Sequence, residues 1–429
     1  VNIKEADPGK LTIIPRDQHN VSRKSISEAA LKVLYRLTSS GYRACLVGGG
    51  VRDLLLNRQP KDFDIATNAT PEQLRALFKN SRIIGRRFRL VHIRFGRDII
   101  EVATFRSHDA DSPRNELSSQ GRILRDNTFG DIADDALRRD FTANALYYDI
   151  ENYTILDYTQ GLADIESRSL RLIGDPNTRY QEDPVRMLRA IRFAAKLDFK
   201  IEQESARAIF ECGHLLHDIP PARLFDETLK LFHSGNASGV FALLRHYQLL
   251  QYLFPALDEI LSKEPAEAML DFIDQALVNT DTRINNDQHV SPAFIFAVLL
   301  WPAVSQQATA LESDQLKIIP ALFQAGSDVM SRQVKHIAIP RRFSQMARDI
   351  WTAQPKFERT KGKQPNRLAA HPWFRAAYDF MCIQSMVGLV PVKLCQWWTN
   401  FQQSHQRSEK QHTQHEPRRK RRVRKRQAN

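Results

Sequence analysis

A chain of 429 residues, 42% of them hydrophobic, can bury a large core and divide into two to four domains, so it is globular and not disordered. Net charge is +13, but eight Lys or Arg lie between Arg418 and Arg426, and without those eight the balance is +5. Four cysteines (Cys45, Cys212, Cys382, Cys395) form no Cys-x-x-Cys pair, so neither zinc nor a disulfide framework is expected, and a reducing cytoplasm fits.

Residues 1–24 are polar and irregular and read as an N-terminal arm. "SISEAALKVLYRLTSSGY" (25–42) then repeats apolar residues at Ala30, Val33, Leu34 and Leu37, the spacing of a helix. "ACLVGGG" predicts a buried strand that runs into a glycine turn, and "VRDLLLN" a short helix. "DFDIAT" predicts a strand. After it, Thr70, Pro71 and Gln73 carry the cap, the first-turn proline and the capping box of a helix. "LVHIRFG" and "DIIEVATFR" alternate like strands, with Gly96, Arg97 and Asp98 as a hairpin turn. The fold class over 25–165 is therefore α/β, a mixed or antiparallel sheet with helices. Beyond about 165 the spacing becomes helical, starting with "EDPVRMLRAIRFAAKL", where Asp183 is the expected cap and Pro184 the first residue. We assign 166–250 to a helical neck, 251–404 to a helical body and leg, and 405–429 to a disordered basic tail. No apolar run of about 18 residues stands out and the N-terminus lacks the order of a secretory signal, so no membrane span is expected.

Two aspartates one residue apart in an apolar strand, Asp62 and Asp64, share a face. At about 5 Å and an effective dielectric near 20 they repel by roughly 3 kcal/mol unless a proton or a cation intervenes. A bound divalent metal resolves this. Gly48, Gly49 and Gly50, between strand and helix, let backbone N–H groups approach an anion, although the Gly-Lys and Gly-x-Gly-x-x-Gly phosphate motifs are missing. Glycine turn and paired acids within a dozen residues suit nucleotidyl transfer on Mg²⁺, with Mn²⁺ also admissible. Glu101 and Asp140 are the two candidates for a third carboxylate. As ordinary structural groups, Glu101 would pair with Arg106 or another base, and Asp140 would cap a helix. Arg52, Arg139 and Arg186 sit beside motif acids and offer forks for phosphate oxygens or base edges. Arg186, Arg189, Arg192 and Lys196 recur as a basic stripe, either a solvated face or a surface toward nucleotide and RNA. Arg418, Arg419, Lys420, Arg421 and Arg422 open the tail run, which suits an arm for RNA phosphates. His108-Asp109 and His217-Asp218 lack partners at metal-site spacing, and Trp397-Trp398 suits core packing.

In order, "LVGGGVRDLLL", "KDFDIATNATPEQ", "EVATFR", "RRDFTANALYY" and "EDPVRMLRAIRFAAKL" resemble the class II nucleotidyltransferase superfamily, which holds bacterial poly(A) polymerases and CCA-adding tRNA nucleotidyltransferases. "IIGRRFRLVHIRFG" (83–96), "IPPARLF", "NTDTRINND", "AIPRRFSQMARDIW" and "HPWFRAAYDF" are similar to the poly(A) polymerase branch. The resemblance implies a polymerase-β-like head before helical regions, and template-independent addition of AMP from ATP to RNA 3′ ends, with CCA addition or an inactive RNA-binding protein as alternatives. It implies Asp62 and Asp64 as metal ligands and Asp140 as third acid, with Glu101 still a contributor. It also places Asp183 and Arg186 at the base-reading position and Gly48, Gly49 and Arg52 at the triphosphate. Gly50 departs from the alanine common in relatives. Tails of this kind hasten RNA decay, so RNA-decay proteins are candidate partners.

Overall fold

Strand signals between residues 12 and 157 resolve into one eight-stranded sheet in the computed structural model. The model describes residues 10–85, 89–107, 116–117, 123–125, 129–263 and 267–415, without the side chains of 116–117, 123–125 and 405–415. The strands are β1 (Thr12–Ile14), β2 (Ala44–Val47), β3 (Asp64–Thr67), β4 (Ser81–Ile84), β5 (Leu90–Phe95), β6 (Asp98–Thr104), a separate pair β7 (Glu116–Leu117) and β8 (Ile123–Arg125), then β9 (Leu146–Asp149) and β10 (Thr154–Asp157). Their order is β1-β10-β9-β2-β3-β6-β5-β4. Neighbours run antiparallel except β3 and β6, which are parallel, so the sheet is mixed.

Strand alternation separates the two faces. Leu46, Ile65 and Val102 are buried where helix α1 (Glu28–Ser39) packs on β2, β3 and β6. The opposite face carries Cys45, Val47, Ala66 and Tyr147, which share a core cluster with Ile132 and Ala136. Asp64 and Glu101 occupy that second face beyond the cluster. Helices α2 (Gly49–Leu55) and α3 (Pro71–Leu77) follow the first two central strands, and Thr70 and Gln73 form the expected capping box. The hairpin turn is one residue shorter than expected, because Asp98 already pairs with Phe95.

Helices α4 (Ile132–Arg138), α5 (Gly161–Glu166), α6 (Pro176–Glu182), α7 (Val185–Leu197), α8 (Gln203–Cys212), α9 (Pro221–Phe232), α10 (Ala237–His246) and α11 (Leu250–Leu253) complete a unit that ends at Leu253. Asp183 does not cap α7: its side chain makes no cap bond and instead accepts from Arg223 Nη2 at 2.7 Å. The ion pair outcompetes the local backbone bond, since a charged donor makes the stronger hydrogen bond.

The second unit, from Phe254, holds α12 (Pro255–Leu261), α13 (Glu267–Asn285), α14 (Pro292–Ser313), α15 (Ile318–His336), α16 (Arg341–Ala353), α17 (Gln364–Ala369), α18 (Phe374–Met386) and α19 (Val392–His415). Three expectations are corrected here. Helix α14 is long and apolar enough to cross a membrane by length and composition, and most of that stretch is buried, with α15 and α16 packed on it. Cys382 on α18 and Cys395 on α19 form a disulfide, because the two packed helices bring their Cα atoms to 5.1 Å. Helix α19 continues to His415, so residues 405–415 are helical: Gln, Glu and Lys are good helix formers and the like-charge run starts only at Arg418. The tail residues Arg418, Arg419, Lys420, Arg421 and Arg422 lie outside the described residues, as does His108. Trp398 is buried and donates to the Phe357 carbonyl at 2.8 Å, a core role, and His217 packs edge-on to Tyr252.

Candidate active site

Strand β2 ends at Val47, and Gly48 turns the chain into α2 with φ +76° and ψ −139°. Side chains other than glycine rarely adopt that conformation. A Cβ there would also lie 3.6 Å from Arg139 Nη1 and 3.8 Å from Asp64 Oδ2, inside the space between them. A Cβ at Gly50 would meet the Asp62 carbonyl at 3.4 Å, an approach that leaves room for alanine.

The turn forms one wall of a cavity of about 840 Å³. Of the residues singled out from sequence, Gly48, Gly49, Arg52, Asp62, Asp64, Glu101, Arg139, Asp140, Arg189, Arg192 and Lys196 all line it. Asp183 and Arg186 do not. Strand β3 starts only at Asp64, so Asp62 precedes the strand, exposed, rather than sharing it. Asp64 pairs in register with Val47 on one side and Glu101 on the other.

Burial, then the Glu101 carboxylate, push the Asp64 carboxyl up to about 6; Arg139 pulls the other way and Asp62 adds to the rise. The acid pair is thus left with unbalanced negative charge, which is a donor set that fits a cation. Among the described residues no three His, Cys, Asp or Glu side chains enclose a metal ion by themselves. Two carboxylates with substrate phosphate oxygens is the arrangement Mg²⁺ favours, so the residues fit the group.

Asp140 has the opposite environment. Arg186 Nε donates to its Oδ1 at 2.8 Å, and Arg189 Nη1 donates to its Oδ2. Burial alone would raise this carboxyl, but Arg189 and Arg186 hold it below the usual range. Arg186 is further engaged: Nη1 donates to Glu182 Oε2 at 2.8 Å and to the Arg179 carbonyl at 2.7 Å. Arg179 in turn donates to the carbonyls of Arg138 and Arg139 at 2.8 and 2.9 Å, fixing the backbone next to Asp140. The basic stripe is therefore split. Arg189, Arg192 and Lys196 reach the cavity, while Arg186 builds its support.

Arg52, 2% exposed, grips Asp53 Oδ1 with Nε at 2.9 Å and Asn144 Oδ1 with Nη1 at 2.5 Å. Its fork is spent on tying α2 to the segment before β9. Arg139 uses Nε and Nη2 on Asp135 at 3.2 and 3.0 Å, and Nε on the Tyr147 hydroxyl at 2.9 Å. Its Nη1 faces the space beside Gly48. Arg192 lies 4.9 Å over the Phe193 ring, and its buried Nε has no hydrogen-bond partner.

Sequence reasoning missed Asp53, Lys61, Asn144, Phe193 and Lys230 in the cavity wall. Lys61 could have been found as the base next to Asp62. Nothing local marks Lys230, which helix α9 carries in, or Asn144, selected by its bond to Arg52. The base beside Glu101 is His92, not Arg106, with Nε2 at 3.1 Å from Oε1.

An acid pair facing a glycine turn, with basic groups along the remaining wall, describes a nucleotidyltransferase site. The fold agrees: the Bacillus stearothermophilus CCA-adding enzyme, solved with CTP, superposes with a TM-score of 0.62 at 24% identity, over 89% of this chain and 82% of that one. Residues 44–171 match the poly A polymerase head domain, 198–261 a probable RNA and SrmB- binding site of polymerase A, and 314–429 the polymerase A arginine-rich C-terminus. Poly(A) polymerase I of Salmonella typhi is 50% identical over 401 residues, 92% of this chain and 86% of its own length. The CCA-adding enzyme of Streptococcus uberis is 40% identical over 211 residues, 49% of this chain and 50% of its own. The chain belongs to the poly(A) polymerase family.

Proposed function

We propose that this chain is a template-independent polynucleotide adenylyltransferase that adds AMP from ATP to RNA 3′ ends, in the cytoplasm, making tails that promote RNA decay. The carrying observation is that sequence similarity to poly(A) polymerase I of Salmonella typhi spans 92% of the chain, whereas sequence similarity to the Streptococcus uberis CCA-adding enzyme covers 49%. The RNA 3′-oxygen forms a bond to the α-phosphorus of ATP, and the bond to the leaving pyrophosphate breaks.

Asp62, Asp64 and Glu101 are the residues that would hold Mg²⁺, which when bound neutralises phosphate charge and acidifies the attacking hydroxyl. The pairing of both Asp140 oxygens with arginines supports Glu101 as the third acid and Asp140 as the residue that orients Arg189. Arg139, with Nη1 beside Gly48, and Lys61, Arg192 and Lys196 attract the triphosphate and the pyrophosphate. Arg52 acts through Asp53 and Asn144 to hold the Gly48-Gly49 turn rather than through a phosphate bond of its own. For base reading, Asp183 keeps a buried Oδ1 that has no partner and can accept from the nucleotide while Oδ2 holds Arg223, whereas Arg186 already gives Nε to Asp140 and Nη1 to Glu182. The tail from Arg418 onward, with RNA-decay proteins as further partners, completes the reading: neutralised phosphates give RNA binding a salt slope of about 0.7 log units each.

The test is extension of a labelled unstructured RNA and of a tRNA lacking its CCA end, with Mg²⁺ and each nucleoside triphosphate supplied alone. Long ladders on the RNA with ATP alone are expected. Addition limited to tRNA and requiring CTP overturns the reading in favour of CCA addition, and no extension of either leaves an RNA-binding protein. Deleting residues 417–429 should lower RNA affinity and its salt slope together; an unchanged slope removes the tail from the RNA contact.

A further inference from the structure

The row that carries Asp64 continues one strand further than the metal site needs. Asp64 pairs with Glu101 across β3 and β6, and Glu101 pairs with His92 across β6 and β5, so the three side chains leave one face side by side. Glu101 lines the cavity and His92 does not. The ring Nε2 of His92 is 3.1 Å from Glu101 Oε1. A carboxylate only accepts, so Nε2 carries the hydrogen and donates it.

Packing gives no reason for a histidine here. Val91 and Ile93 fill the buried face of β5, and a β-branched residue between them would serve the strand as well. Nor does the pair add much to stability, since the Glu101 side chain is 51% exposed and the hydrogen bond is open to water. The bond has a different consequence. Glu101 has three rotatable bonds and stands beside the Asp64 carboxylate, which repels it. Unheld, it would turn outward to solvent.

We propose that His92 is a positioning residue of the metal site, whose Nε2–H bond keeps the Glu101 carboxylate beside Asp64, where it completes the oxygen set for a divalent cation. The inference rests on the reading of Glu101 as a metal ligand. Partners of this kind, one bond away from the ion, typically set metal affinity by 10- to 100-fold, about the effect expected here.

The experiment titrates the full chain with Mn²⁺ and reads free ion by electron paramagnetic resonance for the wild type, His92→Leu, His92→Gln and Glu101→Gln. His92→Leu should weaken Mn²⁺ binding by about tenfold or more. His92→Gln, whose amide can still donate, should restore most of the loss. In turnover, kcat should fall for His92→Leu with KM for RNA unchanged. His92→Asn, polar but too short to reach Glu101, replaces His92→Leu if the leucine variant melts below the assay temperature. Weak binding by Glu101→Gln with wild-type binding by His92→Leu overturns the positioning role alone. Wild-type binding by Glu101→Gln overturns the reading of Glu101 as a ligand, and the inference with it.

Discussion

Two sets of acids face one cavity and are treated in opposite ways. Asp64 stands among Asp62 and Glu101 and its carboxyl is raised to about 6, whereas Asp140 is clasped by Arg186 and Arg189 and its carboxyl is lowered. Both are largely removed from water, so burial does not separate them. What separates them is whether the protein itself supplies the opposite charge. The charge of Asp140 is balanced from within the protein by two guanidinium groups, whereas Asp64, facing other acids, has charge that a cation from outside can balance.

The largest effect expected from this contrast is on turnover. Asp62→Asn or Asp64→Asn should cut RNA extension by about 1,000-fold or more, because several kcal/mol of charge stabilisation leave with the metal. Filter binding of RNA should stay near the wild type, and retained extension in either variant would refute the assignment.

Asp140→Asn should act on stability first. Removing one member of a buried ion network costs about 3 kcal/mol and takes from Arg186 and Arg189 the carboxylate they share, so thermal unfolding should shift down by several degrees. The pH dependence has a definite sign. The folded state holds the Asp140 carboxyl below its unfolded value, so its contribution is fully present above the unfolded pKa of about 3.9 and is lost as pH falls through the lower folded value. Melting curves between neutral pH and pH 3 should therefore converge for wild type and Asp140→Asn as acid is added. Curves that stay parallel would deny Asp140 this role.

A smaller effect is expected at the turn. Gly48→Ala places a side chain at φ +76°, at a cost of about 1–3 kcal/mol, and pushes a methyl group between Arg139 and Asp64, so KM for ATP should rise along with the loss of melting temperature. The smallest structural effect belongs to Arg192→Ala. Its buried Nε has no partner, so truncation should leave melting nearly unchanged while KM for ATP rises. A clear loss of stability without a change in KM would make Arg192 a structural residue.

Much of this site can be read from short stretches. The Gly48-Gly49 turn, the aspartate pair, the box at Thr70 and the stripe on α7 all depend on residues within one or two turns of each other. Errors began where the partner lay far away. Asp183 looks like a cap until Arg223, 40 residues on, takes its carboxylate. Arg52 looks like a phosphate fork until Asn144, 92 residues on, occupies it. Cys382 and Cys395 look unrelated until two helices pack side by side.

The chain alone determined the order of motifs, the glycine turn, the two-residue spacing of Asp62 and Asp64, and the change from strands to helices after about residue 165. These follow from bonded geometry and side-chain periodicity, which act over a few residues. Tertiary structure decided which acid is paired with arginines and which is left facing other acids. The parallel pairing of β3 with β6 sets Glu101 beside Asp64, and the approach of α7 to the segment before β9 gives Asp140 its two arginines. Charge balance depends on what lies within a few ångströms in space and on how much water is excluded there, and neither quantity is set until the elements pack.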